Sequence, residues 1–253
     1  MDLTTFCARL DDRLRTDAYA DVDASANGLQ VGPDEGTVDH AAFAVDAASA
    51  TIETAIDRGA DCLVVHHGLS WGGFDRLTGR DYERIAPLVR EGVALYVSHL
   101  PLDGHQELGN AAGLADHLGL EKREPFGEYG GEYIGQRGRT DPVAPHDLAD
   151  ALSSLDTGGE TVQHLEFGPD RIEEVAVVTG SGADWLAEAE AVGADALVTG
   201  EGKQQLYHEA REAGVHAFLA GHYATETFGV RALRDLVDSW GVETTFLDHP
   251  TGL

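Results

Sequence analysis

The sequence predicts an α/β protein of two similar βαβ-type halves, with mixed sheets flanked by helices. Three observations carry this. Apolar runs of strand length alternate with helical stretches, the alternation restarts midway, and short motifs recur at matching places in the two halves. In the first half AAFAVDA, SATIETAIDRG and DCLVV lead to the loop HHGLSWGG, a helix around YERIAPLVREG and the strand VALYVSH. EEVAVVTG, SGADWLAEAEAVG, DALVTG, QQLYHEAREAG, VHAFLAG and the amphipathic ATETFGVRALRDLVDSW repeat the grammar before TTFLD. Gly59-Ala60-Asp61 before an apolar run lines up with Gly193-Ala194-Asp195, and Gly92-Val93 with Gly214-Val215. This reads as an internal duplication. Its first half covers residues 1–124 with the HHG and HLPLD motifs; the second, 125–253, carries GH-x3-E and a last helix able to pack on the first half.

The opening MDLTTFCARLDDRLR puts Leu3, Phe6, Leu10 and Leu14 on one side of an amphipathic helix, with acids inside it, unlike a signal peptide. Residues 125 to 170 lose the βαβ rhythm and turn rich in Gly, Pro and charge. A short β element and one helix, PHDLADALSSL with Pro145 in its first turn, are expected there. Cys7 and Cys62 are the only cysteines, both in apolar contexts, and read as small buried hydrophobes rather than a disulfide.

With 253 residues the chain is long enough to bury a substantial core. Against 45 Asp+Glu stand 17 Lys+Arg, a formal net charge of -28 spread along the sequence. Such a field repels polyanions, and no basic stripe is present to neutralise phosphates, so nucleic acid and anionic membranes are disfavoured partners. The only lysines are Lys122 and Lys203. Scarce Lys among abundant acids, Ala and Gly points to a salt-rich, halophilic cytoplasm, where the Debye length is roughly 3 Å at 1 M. No apolar run approaches the roughly 18 residues of a membrane span, so a cytoplasmic protein is expected.

Candidate chemistry collects just past predicted strands, where open α/β sheets place their sites. His66 and His67 close the strand DCLVV; adjacent residues of an extended chain point apart, which suits two neighbouring metals better than chelation of one. An exposed or capping pair is the plain alternative. After VALYVS comes His99-Leu100-Pro101-Leu102-Asp103-Gly104-His105. Asp103 is the expected ligand there and His99 its orienting partner, with a helix cap as the alternative for Asp103 and a surface role for His105. After HAFLA, His222 and Glu226 stand four apart, on one face of a helical turn. That spacing chelates one cation or makes an ordinary first-turn pair. His66, His67, Asp103, His222 and Glu226 together offer three imidazoles and two carboxylates to paired divalent ions, Zn, Fe, Mn or Co, with positions left for water or substrate. Glu201 falls where the duplication places His67 and reads as a substrate-facing or supporting carboxylate, or as a cap. Gly200-Glu201-Gly202-Lys203 hints at a phosphate loop but lacks its remaining residues.

The stretches NGLQVG, GADCLVVHHGLSWGG, SHLPLDGHQELGNAAGLADHLGL, VTGEGKQQLYHEAREAGVHAFLAGHYATETFGVRAL and TTFLDHP resemble the dinuclear-metal-centre hexameric proteins, a Nif-three-like family known as GTP cyclohydrolase I type 2 homologues. The resemblance spans nearly the whole chain and is closest to the short form without an inserted domain. It implies two similar α/β domains, a toroid-like homohexamer arranged as a trimer of dimers, and two divalent ions per chain facing an internal cavity. The family's ligands fall on His66, His67, Asp103, His222 and Glu226, while His99, Glu201 and Asn27 match motif positions that line the site. Two departures are Gly68, where many relatives have Pro, and Ala111, where they have a second Asn. The implied function is a metal-dependent hydrolase, in which a metal-bound hydroxide attacks C8 of GTP or a related substrate. Few cations could hold a triphosphate: Arg76, Arg80, Arg137 and Lys203 are the candidates, each more readily read as a solvated surface charge. A non-catalytic hexameric ring that stores or delivers metal, or regulates a partner, is the competing expectation. A mononuclear hydrolase using His222, Glu226 and Asp103 is the third.

Overall fold

The computed structural model describes residues 1–159 and 161–253. Its first elements are helix α1 (Leu3–Leu14), strands β1 (Gly28–Val31) and β2 (His40–Asp46), helix α2 (Ser49–Asp57), strand β3 (Cys62–His67), helix α3 (Arg80–Glu91) and strand β4 (Ala94–Val97). The short helix α4 (Leu100–Asp103), helix α5 (Asn110–His117), strands β5 (Glu121–Tyr129) and β6 (Glu132–Val143), helix α6 (Pro145–Leu152) and strands β7 (Gln163–Leu165) and β8 (Ile172–Val177) follow. The chain ends with α7 (Leu186–Ala191), β9 (Ala196–Thr199), α8 (Leu206–Ala213), β10 (His216–Leu219), α9 (His222–Asp238) and β11 (Glu243–Phe246).

Two compact units emerge, Met1–Leu102 with Val230–His249, and Asp103–Gly229 with Pro250–Leu253. The division falls at Leu102/Asp103, where the sequence alone places it at 124/125. The reason is α5, whose Ala111, Leu114 and Ala115 are buried with Leu148, Val175, Val198 and Phe218 in the second unit's core.

The first unit has a five-stranded sheet of order β1-β4-β3-β2-β11, parallel except for the antiparallel edge strand β1. Helix α1 starts under Asp2, whose carboxylate accepts the Thr5 amide at 2.8 Å, and buries Leu3, Phe6, Leu10 and Leu14 as their spacing predicts. The second unit has a six-stranded sheet of order β5-β6-β8-β9-β10-β7, with β8, β9 and β10 parallel and β5, β6 and β7 antiparallel to their neighbours. Helix α6 begins at Pro145, whose fixed φ suits a first turn.

The stretch expected to hold only a short β element contains a long hairpin, with strands of nine and twelve residues. Gly130 and Gly131, at φ 62° and 95°, make its two-residue turn, which demands positive φ at both positions. Exposure along most of β5 and a continuous buried run in β6 erase the alternation that would have announced it.

The duplication is written in hydrogen bonds. The Asp61 carboxylate accepts the amides of Asp39 and His40 at 2.9 Å each, and the Asp195 carboxylate accepts those of Glu173 and Glu174 at 2.8 and 3.0 Å. In both cases the same aspartate also ties three parallel strands: Asp61 N–H donates to His40 and its carbonyl accepts from Ala94, as Asp195 N–H donates to Glu174 and its carbonyl accepts from His216. Gly59 and Gly193, both at positive φ, end the helices that precede these aspartates. Cys7 and Cys62 are buried free thiols.

Candidate metal centre

In the first unit, His66 and His67 end β3 and His99 follows β4, so parallel pairing brings their strand ends side by side. One nitrogen from each of the three imidazoles lies within 4.8 Å of the others. His66 is fully buried, and its Nδ1 donates to the Ser98 carbonyl at 2.9 Å. His67 Nδ1 donates to the Asp46 carboxylate at 2.9 Å, and His99 Nδ1 to that of Asp23 at 2.9 Å. Each acceptor fixes the tautomer, leaving Nε2 with the lone pair, as metal-ligating histidines require. The carboxylate that holds His99 is therefore Asp23, a residue with no signal in the motif spacing.

Asp23 is well anchored. It also accepts the amides of Ser25 and Leu100 at 2.9 and 3.0 Å and the Asn27 side-chain amide at 2.8 Å. Burial pushes its carboxyl up, but His99, Asn27 and Ser25 together outweigh this and hold it below the usual aspartate range. Asn27 in turn accepts the His99 amide at 2.8 Å, which explains its place in the site. Gln30 accepts the amides of Leu69 and Ser70 and so clamps the loop after the histidines. A Cβ at Gly68 would stand 2.6 Å from the Val97 side chain and 2.8 Å from that of Gln30, so a larger residue here requires those side chains to shift. Trp71, 47% exposed, sets its ring 4.9 Å from that of His99.

In the second unit, His222 and Glu226 occupy the first turn of α9, with Nε2 and Oε1 3.2 Å apart. Glu201, after β9, faces His222 Nδ1 at 3.3 Å. Burial lowers the His222 pKa, but Glu226 and Glu201 outweigh it and push it up to about 9. The Asp103 carboxylate takes hydrogen bonds from Asn110 Nδ2 at 2.8 Å and Thr179 Oγ1 at 3.3 Å, an arrangement unlike a helix cap. Asp103 and Glu226 are only 8% and 3% exposed. Buried carboxylates favour cationic company, which His222 gives Glu226 and a divalent ion would add to. Gly180, at φ +59°, lets the backbone pass Glu226: a Cβ there would lie 2.2 Å from Oε1.

His105 serves locally, its Nδ1 accepting the Glu107 and Leu108 amides. Among the cations considered for phosphate, Lys203 pairs with Asp184 and Arg137 with Glu124, while Arg76 and Arg80 are exposed. Among the described residues no helix is long and apolar enough to cross a membrane. The imidazole and carboxylate donors of both units fit a borderline divalent ion and do not distinguish Zn, Fe, Mn or Co.

Known proteins place these residues in context. The family described as Duf34/NIF3 (NGG1p interacting factor 3) matches residues 1–251. A GTP cyclohydrolase 1 type 2 homolog of Halobacterium salinarum is 62% identical, and one of Pyrococcus horikoshii 43%, each over 255 residues that cover both chains completely. The crystal structure of TTHA1606 from Thermus thermophilus is 39% identical, with a TM-score of 0.90 and complete coverage of both chains. Such end-to-end agreement leaves no inserted domain, and the chain belongs to the Duf34/NIF3 family.

Proposed function

We propose that His66, His67, Asp103, His222 and Glu226 together hold two divalent ions, and that the protein is a metal-dependent hydrolase of a nitrogen-containing, nucleotide-related substrate. One observation carries the reading. Each of the three proposed ligand imidazoles turns Nδ1 to an oxygen, His66 to Ser98, His67 to Asp46 and His222 to Glu201, and the neighbouring His99 does the same to Asp23. Ordinary surface histidines need no such uniform orientation, and ligands do. The names of the relatives, GTP cyclohydrolase 1 type 2 homolog, favour a cyclohydrolase-like ring opening.

Paired ions would supply Lewis acidity and activate water near neutral pH. This chain's residues do the rest. Asp23 and Asp46 orient the imidazoles that they hold. Asn110 and Thr179 fix the direction of the Asp103 carboxylate. Glu201, half-exposed beside His222, accepts a proton from substrate or water, and His99 completes the histidine group. We also place the chain in a homohexamer, a trimer of dimers, which light scattering tests as a mass six times that of the chain.

Elemental analysis of protein purified in high salt tests the centre. Two metals per chain, lost together in His67→Ala and Glu226→Ala, are expected. A folded, metal-replete sample holding none would overturn the hydrolase and leave a binding ring.

A further inference from the structure

The second unit contains a cavity of about 600 Å³ between edge strand β7 and the loop Gly200–Gln204. It lies at the C-terminal ends of β9 and β10, and Gly221, the neighbour of His222, forms part of its wall. Glu201 belongs both to this wall and to the His222 pair. A ligand here reaches the residue that touches the proposed metal ligand.

The loop looks like a phosphate cradle in sequence, but its first two amides are turned away from the cavity's ligand. The amides of Gly200 and Glu201 both donate to the Gly180 carbonyl, at 2.9 and 3.0 Å, so neither is available to an anion. Its glycines answer to packing instead. A Cβ on Gly200 would stand 2.7 Å from the His222 Cα, and one on Gly202 2.8 Å from Leu219. Lys203 is the only cation among the described lining residues, and Asp184 neutralises it. Glu201 then leaves the wall net negative, within a chain of charge -28. A triphosphate would enter with the lining cation already paired and against the field.

What the wall offers is a carboxylate acceptor at Glu201, the polar side chains of Thr161 and Gln163, and apolar surface from Leu165 and Leu219. A ring with N–H groups on its edge and apolar faces matches that lining. We infer that this cavity binds an uncharged or cationic nitrogen heterocycle, a nucleobase or nucleoside without phosphates, with its N–H edge against Glu201, and discriminates against the nucleoside triphosphate. The inference builds on the metal-dependent reading above and narrows its substrate class.

Isothermal titration of the metal-loaded full chain in high salt tests it, with guanosine, adenosine and cytidine set against GTP, ATP and CTP and metal content measured on the same samples. At least one nucleoside should bind about ten-fold or more tightly than its triphosphate. Glu201→Gln should weaken the nucleoside about ten-fold, and Lys203→Ala should leave its affinity within about two-fold. A triphosphate that binds as tightly as its nucleoside, or no nucleoside binding at millimolar concentration, overturns the inference. Nucleoside binding by a folded sample that holds no metal would uphold the cavity's assignment and sink the dinuclear centre instead.

Discussion

The Asp23 carboxylate accepts a hydrogen bond from His99 Nδ1 at 2.9 Å while accepting others from the chain on either side of it, so one buried acid sets both a ring orientation and a loop. Residues 76 apart are thereby fixed to one another. Asp23→Asn keeps the shape, but one amide face then donates where the carboxylate accepts. The His99 ring should lose its fixed orientation, whereas Asp46→Asn, which removes the support of the proposed ligand His67, should lower metal affinity about 10- to 100-fold. Competition against a chromogenic chelator measures that affinity, and Asp23→Asn should change it less.

Gly180→Ala probes the second unit. The new methyl group would meet Glu226 Oε1 at 2.2 Å on a backbone held at φ +59°. Strain of this kind costs about 1–3 kcal/mol. Denaturant unfolding of the metal-free protein should register the loss, and metal content should fall with it. Wild-type stability and full metal occupancy would show that the glycine is dispensable.

His222 gives a pH signature. In the metal-free chain its folded pKa is raised from 6.5 to about 9. Its protonated form therefore contributes stability that is complete below pH 6.5 and disappears as pH rises through about 9. Ring-proton NMR should find a histidine titrating near 9, and Glu226→Gln should return it toward the ordinary value. Because a metal displaces that proton, apparent affinity should climb with pH across the same window.

The net charge of -28 makes salt a structural variable. Screening shortens from about 8 Å at 0.15 M to about 3 Å at 1 M, relieving repulsion among the acids. The melting temperature should rise steeply with KCl over this range. A flat response would separate the acidic composition from stability.

Much of the architecture is legible in the order of residues. The buried strands are short apolar runs, and α1 shows its inner face through Leu3, Phe6, Leu10 and Leu14. The GAD turns announce the repeat because one geometry, an aspartate receiving two strand amides, is used twice. The hairpin of β5 and β6 escapes notice because β5 is exposed along most of its length and β6 buries its residues in a run instead of in alternation, so neither shows a period of two.

The sequence by itself determined the α/β class, the two-fold grammar and the candidate ligands at strand ends, since backbone periodicity and donor chemistry are local properties. Only the tertiary structure decided that Asp23 and Asp46 hold the histidines, that Gly200 and Glu201 direct their amides to Gly180, and that Lys203 is neutralised by Asp184. Those choices depend on which distant groups meet in three dimensions, since a hydrogen bond's reach of about 3 Å admits only groups that folding brings into contact.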